Sequence, residues 1–130
     1  MKLTAARGMV TRPCWIQSIH EHALRAANAS AQLLLFARPS ERPDAIIIRD
    51  DNLVEHATAG LVAAGVRVPE EVEVVAHANF PWLTPSAVPV RRLGYNTRQL
   101  FEVCVERSDA LRRGKQTPEV TLLPAMFEEE

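Results

Sequence analysis

Two short stretches of this chain concentrate groups able to hold a polar ligand. The first is Arg49-Asp50-Asp51-Asn52, directly after the apolar run Ala45-Ile46-Ile47-Ile48. The second is His77-Ala78-Asn79, which follows Val74-Val75-Ala76 and leads into Phe80-Pro81-Trp82. A carboxylate accepts hydrogen bonds from hydroxyl groups and can take two at once. Carboxylates, an imidazole, an amide and an indole brought together would surround a small polar molecule. Asp50, Asp51, His77, Asn79 and Trp82 are therefore the candidate ligand-binding residues. Each also has a plainer role. Asp51 or Asn52 reads as a helix cap, Asp50 as a solvated acid, and His77 as a hydrogen-bonded strand residue. Trp82 reads as a packing or subunit-contact residue.

Positioning these groups falls to alternating helices and strands. Ser18 with Glu21, Asn52 with Glu55, and Asn96 with Gln99 each place a capping residue three positions before Glu or Gln, the spacing of a capping box. Apolar or small residues then recur at helical spacing. They are Ile19, Ala23, Ala27, Ser30, Ala31 and Leu34; then Leu53, Ala57, Gly60, Leu61 and Ala64; then Leu100, Val103, Cys104 and Leu111. Gly65 and Gly114 are natural stops for the second and third helices. Gly60, inside the second, reads as a site of close packing. Cys104 reads as a core residue.

Between the helices lie β-branched runs. Ala45 to Ile48 is continuously apolar, the mark of a strand buried on both faces. Glu73 to Ala78, Val88 to Arg91 and Val120 to Leu123 are further strand candidates. The order helix, strand, helix, strand points to an α/β layer structure, a parallel-sheet Rossmann-like lobe with flanking helices. In such a sheet ligands bind beyond the carboxyl ends of the strands, where both polar stretches would lie.

Composition narrows the alternatives. With 130 residues, 47% hydrophobic and 24% charged, the chain suits one globular domain with its own core. A net charge of -1 offers no electrostatic footprint for nucleic acid or an acidic membrane surface. Cys14 and Cys104 form no C-x-x-C pair, which favours reduced thiols and a cytoplasmic location. The start MKLTAARGMV has no apolar signal-peptide core, and no run is long enough to span a bilayer. His20 and His22 flank Glu21, but residues two apart on a helix point away from each other, so no metal site is expected. Neither a Walker loop nor a G-x-S-x-G elbow occurs, so no catalytic residue or cofactor is expected and the chain does not read as an enzyme. One competing reading is a receiver-like phosphoacceptor domain, since Asp50-Asp51 at a strand end resembles a magnesium-holding acidic pocket. That chemistry needs a late lysine after a strand, and Lys2 and Lys115 are the only lysines.

The run from Ala45 to Asp51, a helix, and then AGVRVPEEVEVV from Ala64 to Val75 resembles the ligand-binding domain of the lactose/galactose repressor (LacI/GalR) family. Leu83-Thr84-Pro85, Val88-Pro89-Val90-Arg91 and Leu122-Leu123-Pro124 add to the likeness. The resemblance implies a periplasmic-binding-protein-like fold, used by transcription regulators to sense small molecules, often sugars. Such regulators place ligand between two lobes and read DNA through a separate helix-turn-helix domain. Only the second lobe is matched here, by residues 15–130, after an irregular segment 1–14. The chain is thus expected to be a fragment or truncated product, with DNA contacted only through a domain absent from it. Residue by residue, the family's asparagine-aspartate pair falls on Asp50 and Asp51. Its glycine-aromatic-aspartate-aspartate falls on Ala76, His77, Ala78 and Asn79, so Ala78 replaces an aspartate that often grips ligand. Glu128 stands where the family often has arginine. The resemblance also implies a homodimer through the helix from Asn52 to Ala64 and the loop from Phe80 to Leu83, with Val54, Thr58 and Val62 on the helix's outer face. The Ala78 departure leaves open an assembly-only lobe that has lost its ligand.

Overall fold

The computed structural model describes residues 6–19, 23–35 and 41–128, with the side chains of 23, 24 and 32–35 outside that description. The Ser18–Glu21 capping pair, His20, His22 and the Leu34 side chain therefore fall outside the described residues. Among the described residues three α-helices and four strands follow in order: α1 (Ala23–Leu35), β1 (Ala45–Ile48), α2 (Val54–Ala63), β2 (Glu73–Phe80), β3 (Arg91–Asn96), α3 (Thr97–Arg112) and β4 (Met126–Phe127). The strands form one sheet in the order β1-β2-β3-β4. β1, β2 and β3 are parallel, and β4 runs antiparallel to β3. The expected mostly parallel α/β lobe is what forms.

Two strand expectations need correction. The third strand begins at Arg91, where the β-branched run ends, and is built from Arg-Arg-Leu-Gly-Tyr-Asn. Residues 120–123, read as a fourth strand, pair with no strand among the described residues; the short β4 comes later, at Met126. The apolar pattern marked strand-forming chemistry, but pairing depends on what the sheet edge accepts.

The core lies on one side of the sheet. Ile48, Val74 and Ala76 point toward the helices and meet Ala26 of α1 and Val54, Ala57 and Leu61 of α2. α2 lies there as the crossover between the neighbouring parallel strands β1 and β2, and α1 packs beside it. As a result β1 is not buried on both faces, contrary to expectation: Ile47 is 72% exposed. α3 buries no residue fully. Cys104, read as core, is exposed, and so is Leu111 of the same stripe.

Two contacts set the fit of the helical layer. Gly60 of α2 lies against the backbone of α1; a Cβ built there would stand 2.1 Å from the Ala27 carbonyl oxygen. The close packing read for Gly60 is thus present. Thr58 is completely buried, and its hydroxyl donates to the Val54 carbonyl at 2.7 Å and accepts from the Ala87 N–H at 2.9 Å. That bond pins the β2–β3 loop onto α2, and Val88 and Val90 from the same connection pack against the core. After α2, Gly65 turns the chain at φ +68°. Glu71 then accepts from the Arg67 backbone N–H at 2.9 Å and from its guanidinium at 3.2 Å. Those bonds, the backbone one first, hold the Glu71 carboxyl below its ordinary value.

Gly60→Ala is expected to destabilise the domain by about 1–3 kcal/mol, since the backbones of two helices must separate. Thr58→Val should lose about 0.5–1.5 kcal/mol, because the bond between the Ala87 N–H and the buried Thr58 hydroxyl is removed. Urea unfolding followed by circular dichroism measures both; unchanged midpoints would contradict these packing assignments.

Candidate functional site

The offset between β1 and β2 is constant. Ala45 pairs with Glu73, Ile46 with Val74, Ile47 with Val75, and Ile48 with Ala76. Extended past the strand ends, this register sets Asp51 level with Asn79. The two side chains meet there: Asn79 Nδ2 donates to Asp51 Oδ2, in a half-buried contact. The carboxyl ends of two neighbouring parallel strands thus share a polar rim, where an open α/β sheet binds ligands.

Asp50 stands at the same rim and is the residue that starts the next helix. Its backbone is extended, and its Oδ1 accepts from the Asn52 backbone N–H and the Asn52 amide, each at 3.0 Å. A single 3-10 turn, Asp51–Leu53, leads into α2. The cap is therefore Asp50 rather than Asp51 or Asn52, and the Asn52–Glu55 capping box does not form. By contrast, the Asn96 cap forms as expected, with its Oδ1 accepting from the Gln99 N–H at 3.2 Å. At Asp50 the second carboxylate oxygen has no protein donor among the described residues, and the side chain is exposed. It is free to accept from a ligand hydroxyl.

The remaining candidates are placed differently. Ala78 is 3% exposed and belongs to the helix-covered side. Asn79 gives one N–H of its side-chain amide to Asp51, which leaves that amide's other N–H and its side-chain oxygen for further bonds. His77 lies two residues before Asn79, on the uncovered sheet face. Its ring is 5.5 Å from that of Tyr95, and both line a groove of about 530 Å³ with Ile47, Arg49, Val75 and Leu93. Trp82 donates its backbone N–H to the Asn79 carbonyl at 2.8 Å, but its indole is 62% exposed. That indole lines a separate groove with Arg98, Phe101 and Val105 of α3. The structure thus gathers Asp50, Asp51 and Asn79, sets His77 lower on the open face, and leaves the Trp82 indole apart.

Glu128 is also accounted for. It pairs with Arg92 at 3.1 Å, while the same guanidinium donates to the Thr84 carbonyl at 3.0 Å. The acid fastens the end of the chain to β3 and the preceding loop. Sequence reasoning missed Trp15 and Gln17, which lie in the segment before α1. They line a groove of about 220 Å³ together with β1, Arg49 and Asp50. Arg12 stacks over the Trp15 ring at 5.3 Å. Only an isolated tryptophan marked that segment, without periodicity to support it. Among the described residues no cluster of His, Cys, Asp or Glu could hold a metal ion. No helix among them is long and apolar enough to cross a membrane.

Two residues of the outer face expected on α2 need correction. Val54 is 1% exposed and Thr58 is fully buried, so both serve the domain's own core. Val62, Trp82 and Leu83 remain at the surface. At the rim, Asn79→Ala is expected to cost about 1.5–3 kcal/mol, the range for hydrogen bonds to charged groups, by releasing the Asp51 carboxylate. Asp50→Ala should cost about 1 kcal/mol through the lost cap. Denaturant titration of the two variants checks this ordering; a neutral Asn79→Ala would mean that the strand ends are not tied through this bond.

The sequence pattern of the periplasmic binding protein-like domain matches residues 2–126. Comparison with curated proteins gives no match. Among solved structures, a LacI family transcriptional regulator from Bifidobacterium animalis subsp. lactis superposes with TM-score 0.79 at 23% identity, covering 97% of this chain and 44% of that one. A LacI family regulator from Lactobacillus casei with bound glucose superposes with TM-score 0.75 at 18% identity, covering 98% of this chain and 45% of that one. The Lac repressor bound to ONPG in its repressed state gives TM-score 0.73 at 19% identity, covering 97% and 37%. These neighbours are regulators rather than enzymes, and this chain spans less than half of each. The fold expected from the resemblance is present, and the chain belongs to the periplasmic binding protein-like domain family.

Proposed function

We propose that this chain is an effector-sensing module of a LacI-type transcriptional regulator, contributing one wall of a cleft that takes a sugar-like molecule. The carrying observation is the rim, where the β1–β2 register brings Asp50, Asp51 and Asn79 together at the carboxyl ends of parallel strands. Asp50 keeps an acceptor oxygen for a hydroxyl, and Asn79 keeps its side-chain oxygen. Trp15 and Gln17 border the adjoining groove. Structural neighbours bound to glucose and to sucrose support a sugar as the effector class. Closure of a second lobe over this wall would bias the geometry of an assembly and so its affinity for DNA, which a separate domain would contact. Pairing of two copies, part of the same reading, is left to Val62 of α2 and to Trp82 and Leu83 of the following loop, since Val54 and Thr58 are buried.

A ligand pocket ordinarily encloses most of its ligand's surface, and one wall encloses little of it. Glucose titrated into the 130-residue chain and followed by amide NMR is expected to bind at about 1 mM or weaker. Shifts should centre on Asp50 and Asn79 and vanish in Asp50→Ala. Micromolar affinity would contradict the single-wall reading. A spectrum unmoved by saturating sugar would favour the assembly-only alternative, to which the replacement of aspartate by Ala78 already points.

A further inference from the structure

We propose that Asn79 is a positioning residue that couples the polar rim to the loop after β2, so that a molecule held at the rim sets where Trp82 and Leu83 stand. Such coupling deepens the sensing reading, on which it rests, by naming the residue through which rim and pairing loop communicate. Asn79 holds both at once. Its side-chain amide donates to the Asp51 carboxylate, and its backbone carbonyl accepts from the Trp82 N–H at 2.8 Å. Asn79 and Trp82 form an isolated antiparallel bridge through the same contact.

The unequal lengths of β1 and β2 create this double role. The N–H and C=O of one strand residue point to the same side, and the side alternates along the strand. The Glu73 N–H donates to the Asp44 carbonyl, so odd-numbered residues of β2 turn their backbone toward β1. β1 ends at Ile48, opposite Ala76, while β2 continues to Phe80. Asn79 therefore aims its carbonyl past the end of β1, where the chain has already entered the 3-10 turn Asp51–Leu53. A carbonyl there needs a donor, and the loop returns to supply the Trp82 N–H. On its other side β2 stays in register with β3, Asn79 with Tyr95 and Phe80 with Asn96, so the strand does not slide. The rim bond governs the tilt of one peptide group, the one between Asn79 and Phe80.

The far end of the loop is fixed separately. Arg92 donates to the Thr84 carbonyl at 3.0 Å and to the Ser86 hydroxyl at 3.3 Å. The Ala87 N–H donates to the buried Thr58 hydroxyl at 2.9 Å. Trp82 and Leu83 thus stand between a fixed end and an end held by Asn79. Of the two bonds that Asn79 makes, the one to the Asp51 carboxylate is charge-assisted and the stronger. A ligand hydroxyl that accepts from the second N–H of the same amide holds the side chain more firmly, and with it the carbonyl that Trp82 uses. Ligand then favours the loop position shown here, and by linkage a contact that needs this position favours ligand.

Amide hydrogen exchange on the 130-residue chain, followed by NMR, reads the tie at Trp82, with the Ala87 amide at the fixed end of the loop as reference. Asp51→Ala should speed Trp82 exchange about tenfold relative to Ala87. Asp51→Asn, whose amide oxygen still accepts from Asn79, should restore most of the protection. Asp50→Ala removes only the cap and should leave the Trp82 to Ala87 ratio unchanged. Equal acceleration of both amides in Asp51→Ala would mean general loosening and would overturn the proposal. So would a Trp82 amide that Asp51→Ala leaves untouched, that Asp51→Asn fails to rescue, or that Asp50→Ala frees as much. Saturating glucose separates the coupling from the sensing reading. Shifts at Asp50 and Asn79 should come with Trp82 exchange slowed about fivefold. The same shifts with Trp82 unmoved would overturn the coupling alone. No shifts at all would overturn the sensing reading, and the Asp51 variants would still decide whether Asn79 ties rim to loop.

Discussion

The parallel register of β1 on β2 is the constraint on which the rest of the molecule depends. An offset of 28 residues runs unchanged from Ala45–Glu73 to the side-chain contact of Asp51 with Asn79. Because side chains alternate faces along a strand, a slip by one residue would send Val74 and Ala76 out of the core and break the rim at once. One arrangement therefore serves two ends: apolar residues enter the helical layer, and the residues just beyond them meet as polar neighbours. Asp50 adds a third function at the same place, since the carboxylate that starts the next helix also faces outward from the rim.

The two faces of the sheet are unequal. On one, α1 and α2 approach closely enough that Gly60 leaves no room for a methyl group, and Thr58 locks the following loop in place. On the other, Ile47, Leu93 and the His77–Tyr95 pair line an open groove, and α3 adds no fully buried residue. The ion pairs reflect the same division. The Arg92–Glu128 pair involves a guanidinium only 17% exposed and carries further bonds to the loop. The Arg67–Glu71 pair lies at the surface, where such contacts add little.

The rim illustrates how capping and binding chemistry overlap. Asp, Asn and Ser favour helix starts for the same reason they favour ligands: short side chains presenting oxygen to nearby donors. Asp50 caps with one oxygen, and its exposed carboxylate has a second. Asn79 gives one of its amide N–H groups to Asp51. At Ala78 the chain offers nothing to a ligand, whereas Trp15 and Gln17 border the groove from a segment without periodic signal.

Local pattern alone determined that this chain makes an α/β lobe, that polar groups follow two of its apolar strands, that Gly65 and Gly114 end helices, and that Asn96 begins one. Those features depend on neighbours a few residues away, which a linear sequence displays. Tertiary structure decided the rest. Whether Ile47 is covered depends on which face of the sheet the helices occupy. Whether Val54 and Thr58 are surface or core depends on where α1 docks. Whether residues 120–123 join a sheet depends on an available edge. Asp50 caps a 3-10 turn that intervenes before α2, so Asn52 is not the cap. Burial and pairing are properties of segments distant in sequence, and no periodicity within one segment records which partner it will meet.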